Sequence, residues 1–356
     1  MNRILTIIGA RPQFIKASVV SRAIADRSNL KEIILHTGQH FDANMSDVFF
    51  DQLMIPRPDH QLSIHGGSHG RMTGRMLAEI EDILLSERPD QVMVYGDTNS
   101  TLSGALAAAK LHIPVIHIEA GLRSFNMRMP EEINRILTDQ LSSILFCPTD
   151  AAVKNLVEEG FGNKKVEVHK VGDVMQDSAV FFARQVGNRT VPGVEGFGFI
   201  LATLHRAENT DDPQRLASII SALNELHFNV APVILPLHPR TRDAIRRAGL
   251  SLDVTLIDPV GYLEMILLLQ RCGLVLTDSG GVQKEAFFFG KFCVTLRDQT
   301  EWVELIAAKA NKLVGADRAA ILGAVQENLG RQIKDEGALY GGGEAAQRIA
   351  QRLAQL

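Results

Sequence analysis

Cysteine is scarce in this chain: three residues in 356, Cys147, Cys272 and Cys293. They stand far apart and lack metal-ligand spacing, which excludes a disulfide scaffold and fits buried thiols in a reducing compartment. A surplus of positive charge is also missing. The formal net charge is −4, whereas nucleic-acid binders usually carry a basic excess. An anionic ligand must then be met by a few local cations. No apolar run approaches the ~20 residues that span a bilayer. Ile4-Leu5-Thr6-Ile7-Ile8-Gly9 is too short for the apolar part of a signal peptide, and no small-residue cleavage site follows it. Repeats and low-complexity tracts are absent as well. A cytoplasmic protein without nucleic-acid or membrane partners is expected.

What is present is ordinary for an α/β protein: 46% hydrophobic and 22% charged residues. Cores stop growing at about 250–300 residues, so two domains are expected. Short β-branched runs alternate with amphipathic helical stretches, the pattern of a parallel sheet covered on both faces. Strands are predicted at Ile4–Ile8, Glu32–His36, Gln91–Tyr95, Pro114–Ile118 and Ile144–Cys147, then at Phe199–Leu204, Val233–Leu237, Val254–Ile257, Leu274–Thr277 and Cys293–Leu296. The clearest helices are Arg71–Ser86 and Ser100–Leu111. Phe182–Gly198, with four Gly and one Pro, has turn character. The expected division is a Rossmann-like domain over 1–172, a second over 173–343, and a helix over 344–356 that docks by one apolar face, with the N-terminal domain as its place.

Nearly every predicted strand ends in glycine or a polar cluster: Gly9-Ala10-Arg11, Thr37-Gly38-Gln39-His40, Gly96-Asp97-Thr98-Asn99, Glu119-Ala120-Gly121, His205-Arg206, His238-Pro239-Arg240 and Asp278-Ser279-Gly280-Gly281. Ligands of open α/β sheets bind beyond the carboxyl ends of the strands. Two such sheets facing a central cleft would line it with these clusters. Polar loops in general explain one or two of them, not all.

Ser279, Gly280 and Gly281 follow a strand and open a helix. Paired glycines let backbone N–H groups approach an anion, which the helix dipole favours. These three residues suit a diphosphate, and Glu285, which would repel phosphate, suits ribose hydroxyls. An ordinary strand-to-helix turn capped by serine is the plainer alternative. Arg11 and Lys16 flank a helix start at Pro12; cations there are electrostatically disfavoured unless an anion joins them. Asp97, Glu119 and Glu131 are the acid/base candidates, because crowded carboxylates push their pKa values apart. Asp97 could also cap the helix near Ser100. Glu131 and Glu132 could complement a helix dipole, the preferred reading for Glu132. His205 is placed towards phosphate, and His238 is left open. Metal binding is not expected, because no His, Cys and Asp set has close ligand spacing. His65 and His69 read as structural.

Together these motifs resemble the non-hydrolysing UDP-N-acetylglucosamine 2-epimerase family, along almost the whole chain. The resemblance rests on Gly9–Gln13, Thr37–His40, Gly96–Thr101, His117–Arg123, Pro130–Arg135, Thr203–Thr210, His238–Thr241, Asp278–Gly281 and Arg297–Trp302. It implies the glycosyltransferase-B-like fold of two Rossmann-like domains. Carried over by position, Arg11, Lys16, Asp97, Glu119, Glu131, Arg135, His205, Ser279 and Glu285 match the family's active-site and UDP-contacting residues. Ser124–Pro130 and Phe287–Gly290 resemble the branch that serves bacterial O-antigen synthesis, whose substrate is UDP-2,3-diacetamido-2,3-dideoxy-glucuronic acid. Phe292 departs from the family's Gly-Lys-Pro and should affect a strand start more than the chemistry.

The resemblance implies an isomerase that eliminates UDP to a 2-acetamidoglycal and re-adds it with the proton on the opposite face of C2, with no cofactor. Loosening C1–O first acidifies the C2 hydrogen, and cations on the diphosphate assist departure. Two carboxylates then serve as base and acid, in an order the residues leave open. A uronate substrate needs an additional cation, for which Arg128 is the candidate. Alternatives are the plain UDP-N-acetylglucosamine enzyme, a glycosyltransferase of the same fold, and a non-catalytic sensor. The last would have no use for three carboxylates. The family makes a homodimer the expected assembly.

Overall fold

The computed structural model describes residues 1–39, 54, 57–187, 189–335 and 339–356. The chain divides into two compact units, Met1–Ser178 with Gly337–Leu356, and Ala179–Glu336.

The first unit carries a parallel sheet of β1 (Asn2–Ile8), β2 (Leu30–His36), β3 (His60–Gln61), β4 (Gln91–Tyr95), β5 (Val115–Ile118), β6 (Ile144–Cys147) and β7 (Glu167–Lys170). Their order is β3-β2-β1-β4-β5-β6-β7, with every pairing parallel. Five consecutive buried residues in β4 show why the central strands read as unbroken apolar runs: helices cover both faces. These are α1 (Arg11–Ala25), α2 (His69–Glu87), α3 (Asn99–Lys110), α4 (Pro130–Leu141) and α5 (Asp150–Glu158), while α6 (Val174–Gln185) begins in this unit and ends in the second. Leu5, Ile7, Leu35, Ile80, Val94 and Ala105 are among the buried side chains of the core on one face.

The second unit repeats the plan with β8 (Ile200–Thr203), β9 (Val233–Pro236), β10 (Thr255–Ile257), β11 (Leu274–Thr277), β12 (Cys293–Thr295) and β13 (Asn311–Leu313). Their order is β10-β9-β8-β11-β12-β13, again parallel throughout. Its helices are α7 (Ala207–Thr210), α8 (Pro213–Asn229), α9 (Pro239–Arg247), α10 (Tyr262–Arg271), α11 (Gly280–Phe288), α12 (Val303–Ala307) and α13 (Arg318–Asn328). The fold is α/β and glycosyltransferase-B-like. Phe292 lies in the core just before β12.

Strand order reverses between β1 and β4 in the first unit and between β8 and β11 in the second. Crevices for ligands open at such switch points. Gly9-Ala10-Arg11 and Gly96-Asp97 flank one, His205-Arg206 and Asp278-Ser279 the other.

The last helix, α14 (Ala345–Leu353), belongs to the first unit. It buries Ala345, Ala346, Ile349, Ala350 and Leu353. The Asp177 carboxylate accepts the backbone N–H groups of Ala345 and Ala346 at 3.1 and 2.7 Å, and Arg352 grips Glu167 with contacts of 2.6 to 2.9 Å. Helix α6 holds the start of the segment expected to carry turns: Phe182 is fully buried in it. No helix among the described residues is long and apolar enough to cross a membrane.

Candidate active site

Pro12 in the first turn of α1 sets its start, and Gln13 accepts the N–H groups of Gly9 and Ala10 at 2.8 and 3.0 Å, fixing the turn that delivers Arg11. Lys16, one turn on, is buried and ion-paired with Glu119. Gly96, at φ +62°, ends β4 beside this pair: a β-carbon there would stand 3.2 Å from Glu119 Oε2 and 3.3 Å from Lys16 Nζ. Glycine therefore both permits the turn and leaves room for the ions. Glu119 itself holds φ +71°, a strained conformation for a side chain of its size.

Asp97 is ion-paired with Arg135, whose other nitrogen bonds Glu132 at 2.9 Å. Burial opposes charge on Arg135, but Asp97, then Glu132 and Glu119, outweigh it and hold its pKa above the ordinary value. The structure thus gathers Lys16, Asp97, Glu119 and Arg135 into one network. Capping of α3 falls to Thr98, which accepts the Thr101 N–H at 3.3 Å, so Asp97 does not serve as the cap.

The two neighbouring glutamates of α4 separate sharply. Glu131 is exposed in the first turn and makes no ion pair among the described residues. Glu132 is buried and does more than complement a dipole. It accepts the N–H groups of Ser124 and Phe125 at 2.9 Å and the Ser124 hydroxyl at 2.9 Å. It thereby ties down the loop that carries Arg128, which is exposed and has no ion pair among the described residues.

In the second unit, the buried Asp278 carboxylate accepts the N–H groups of His205 and Arg206 at 3.0 and 2.9 Å and lies 3.3 Å from His205 Nδ1. Burial, with the charge of Arg206 and the neighbouring His238, lowers the His205 pKa against the pull of Asp278. Ser279 is the N-cap of α11, its hydroxyl makes no cap bond, and no acidic residue occupies the first turn. Gly280 lies against the Glu301 carboxylate, which pairs with Arg297 at 2.9 Å. Gly281 is open, and Glu285 is buried further along the helix. His238 accepts the Arg240 N–H at 3.3 Å and caps α9. His69 Nδ1 pairs with Asn99 at 3.2 Å, while His40 lies outside the described residues. No group of His, Cys, Asp and Glu among the described residues could hold a metal. All three cysteines are buried, and burial raises each thiol, Cys272 and Cys293 to about 12.

Sequence reasoning missed one buried group behind the site. His117, Asp139 and Arg123 form a chain that ends at Glu159, with contacts of 2.6 to 2.7 Å. Its signal was present: a histidine inside an otherwise apolar strand needs partners.

An α/β chain with acidic residues at one switch point and a glycine-rich helix start at another has the features of an enzyme acting on nucleotide sugars. The family model described as UDP-N-acetylglucosamine 2-epimerase matches residues 22–354. The UDP-2,3-diacetamido-2,3-dideoxy-D-glucuronate 2-epimerase of Pseudomonas aeruginosa PAO1 is 70% identical over 354 residues, 99% of this chain and 100% of that one. The UDP-N-acetylglucosamine 2-epimerase of Methanocaldococcus jannaschii is 41% identical, covering 98% and 97% of the two chains. Its crystal structure with UDP-GlcNAc and UDP superposes with a TM-score of 0.87 at 40% identity, covering 99% of this chain and 100% of that one. The Neisseria meningitidis enzyme bound to UDP-GlcNAc also gives 0.87, at 31% identity and the same coverage. This chain belongs to the UDP-N-acetylglucosamine 2-epimerase family, and it is a 2-epimerase, an isomerase.

Proposed function

We propose that the chain inverts C2 of UDP-2,3-diacetamido-2,3-dideoxy-glucuronic acid to give the manno epimer for bacterial O-antigen synthesis. The observation that carries the chemistry is the network of Asp97, Glu119, Lys16 and Arg135 at the β1/β4 switch point. Asp97 and Glu119 are the principal base and acid, with Glu131 a third carboxylate. Ser279, Gly280 and Gly281 take the diphosphate at the start of α11, Glu285 takes the ribose, and His205 and Arg11 contact phosphate. UDP leaves first, the C2 proton is lost to one carboxylate, and the glycal regains a proton from another before UDP returns. No cofactor enters this sequence.

The choice of the uronic acid rests on the 70% identical Pseudomonas relative and on Arg128, a cation with no ion pair among the described residues that suits a carboxylate. The UDP-N-acetylglucosamine reading is supported by the 41% identical relative. Incubation in D2O with each sugar decides both points. Deuterium at C2 of the uronic acid, with a much slower reaction of UDP-N-acetylglucosamine, is expected. Turnover without C2 exchange would overturn the elimination mechanism, and preference for UDP-N-acetylglucosamine would overturn the substrate.

A cytoplasmic homodimer completes the proposal. Ile133 and Leu137, one turn apart and exposed on α4, offer apolar surface for it. Sedimentation as a monomer at micromolar concentration would refute the dimer.

A further inference from the structure

His117 on β5 and Asp139 on α4 keep no exposed side-chain surface. His117 Nδ1 lies 2.7 Å from Asp139 Oδ1, and its Nε2 lies 2.7 Å from the Gly96 carbonyl oxygen. A carbonyl only accepts, so Nε2 donates. The second Asp139 oxygen accepts the Gly121 N–H at 3.1 Å and Arg123 at 2.7 Å. Burial works to raise the Asp139 pKa, but the hydrogen bond and charge of His117, then Arg123, hold it below its ordinary value. Asp139 and the Gly96 carbonyl thus each hold one nitrogen of the ring.

The atoms held by this pair matter more than the pair itself. Gly96 immediately precedes Asp97, and Gly121 follows Glu119 by two residues. The Gly96 N–H also donates to Ile118 at 2.9 Å, closing the same junction from the backbone side. We infer that His117 and Asp139 are positioning residues that set the separation of Asp97 and Glu119, one holding the turn before the first carboxylate and the other the turn after the second. The inference rests on reading Asp97 and Glu119 as the acid/base pair. Proton removal and return at C2 need both groups at fixed distances, and a misplacement of about 1 Å can cost roughly a hundredfold in rate.

The two amide substitutions separate the contacts. In His117→Gln the amide can still reach the Gly96 carbonyl; in His117→Asn it reaches only towards Asp139. Both are compared with the wild type and with Asp97→Asn for kcat and KM, with folding followed by circular dichroism. Folded His117→Asn should lose about a hundredfold in kcat with KM within roughly threefold, and His117→Gln should retain at least about ten times more. Folded His117→Asn with wild-type kcat would overturn the inference, as would a loss in KM alone. Should His117→Asn not fold, Asp139→Asn answers in its place: a kcat lowered roughly tenfold with KM within about threefold is expected, and a folded Asp139→Asn enzyme with wild-type kcat would overturn the inference. An active Asp97→Asn enzyme would instead remove the acid/base reading beneath it, so the two failures are distinguishable.

Discussion

Lys16 and Glu119 form an ion pair in which each side chain keeps only 10% of its exposure. Replacing Lys16 by an apolar side chain takes this counter-charge away from a buried carboxylate. Lys16→Met should therefore destabilise the protein by about 3 kcal/mol, read as a lowered unfolding midpoint in urea. Glu119→Gln can still accept from Lys16 and should unfold near the wild-type midpoint, while its kcat falls by roughly 10²- to 10⁴-fold. Equal losses of stability with intact kcat would contradict the assignment of Glu119.

Adjacent glutamates on α4 should behave in opposite ways. Glu132→Ala removes the acceptor for Ser124, Phe125 and Arg135. It should cost on the order of 3 kcal/mol, because several partly buried donors lose the same acceptor together. Glu131→Gln, at an exposed position, should leave thermal stability unchanged and lower kcat at least about tenfold. Thermal melts and initial rates on the two variants test both statements. A Glu131→Gln enzyme with full activity would remove Glu131 from the site.

The paired glycines of α11 offer a steric contrast. A β-carbon on Gly280 would press on the Glu301 carboxylate, whereas one on Gly281 meets nothing within 4 Å. Gly280→Ala should lower both stability and UDP affinity. Gly281→Ala should melt at or above the wild-type temperature, since alanine favours a helix by about 0.5–1 kcal/mol. If the diphosphate rests on this helix start, its UDP Kd should nonetheless rise about tenfold, or roughly 1.4 kcal/mol. Unchanged calorimetric UDP binding in Gly281→Ala would displace the diphosphate from α11.

Asp177 governs a pH dependence that is separate from catalysis. Burial, joined by the charge of Asp173, raises its pKa from 3.8 to about 6 against the bonds from Ala346 and Ala345. The folded state therefore binds the proton more tightly than the unfolded chain. The resulting stabilisation is complete below pH 3.8 and is lost as pH rises through about 6. Its full size is on the order of 3 kcal/mol. Wild-type stability relative to Asp177→Asn should decline between pH 4 and pH 6.5, followed by urea midpoints. A flat difference across that range would contradict the shift.

Much of this was legible in the residues for a physical reason. Strands buried on both faces, such as Gln91–Tyr95 and Leu274–Thr277, read as unbroken apolar runs. The edge strands β3, β7 and β13 escaped because His60–Gln61, Glu167–Lys170 and Asn311–Leu313 are short and largely polar. Helix α6 escaped because the glycines and proline after it drew the turn segment back to Phe182. At the site, residues standing at strand ends were visible by their chemistry. The difference between Glu131 and Glu132 was not, since both are acidic and suit a helix start; only the returning loop at Ser124 distinguishes them. Likewise Thr98 takes the cap next to Asp97, a competition between neighbours that spacing cannot resolve.

The return of α14 to the first unit has a consequence for synthesis. On the ribosome, Ala179–Glu336 emerges in full before Ala345–Leu353 does. The unit that begins first therefore finishes last, and the acidic partner Asp177 waits, with its neighbours Ala179 and Phe182 already delivered, until the final turns arrive to cover the helix α1 side of the sheet.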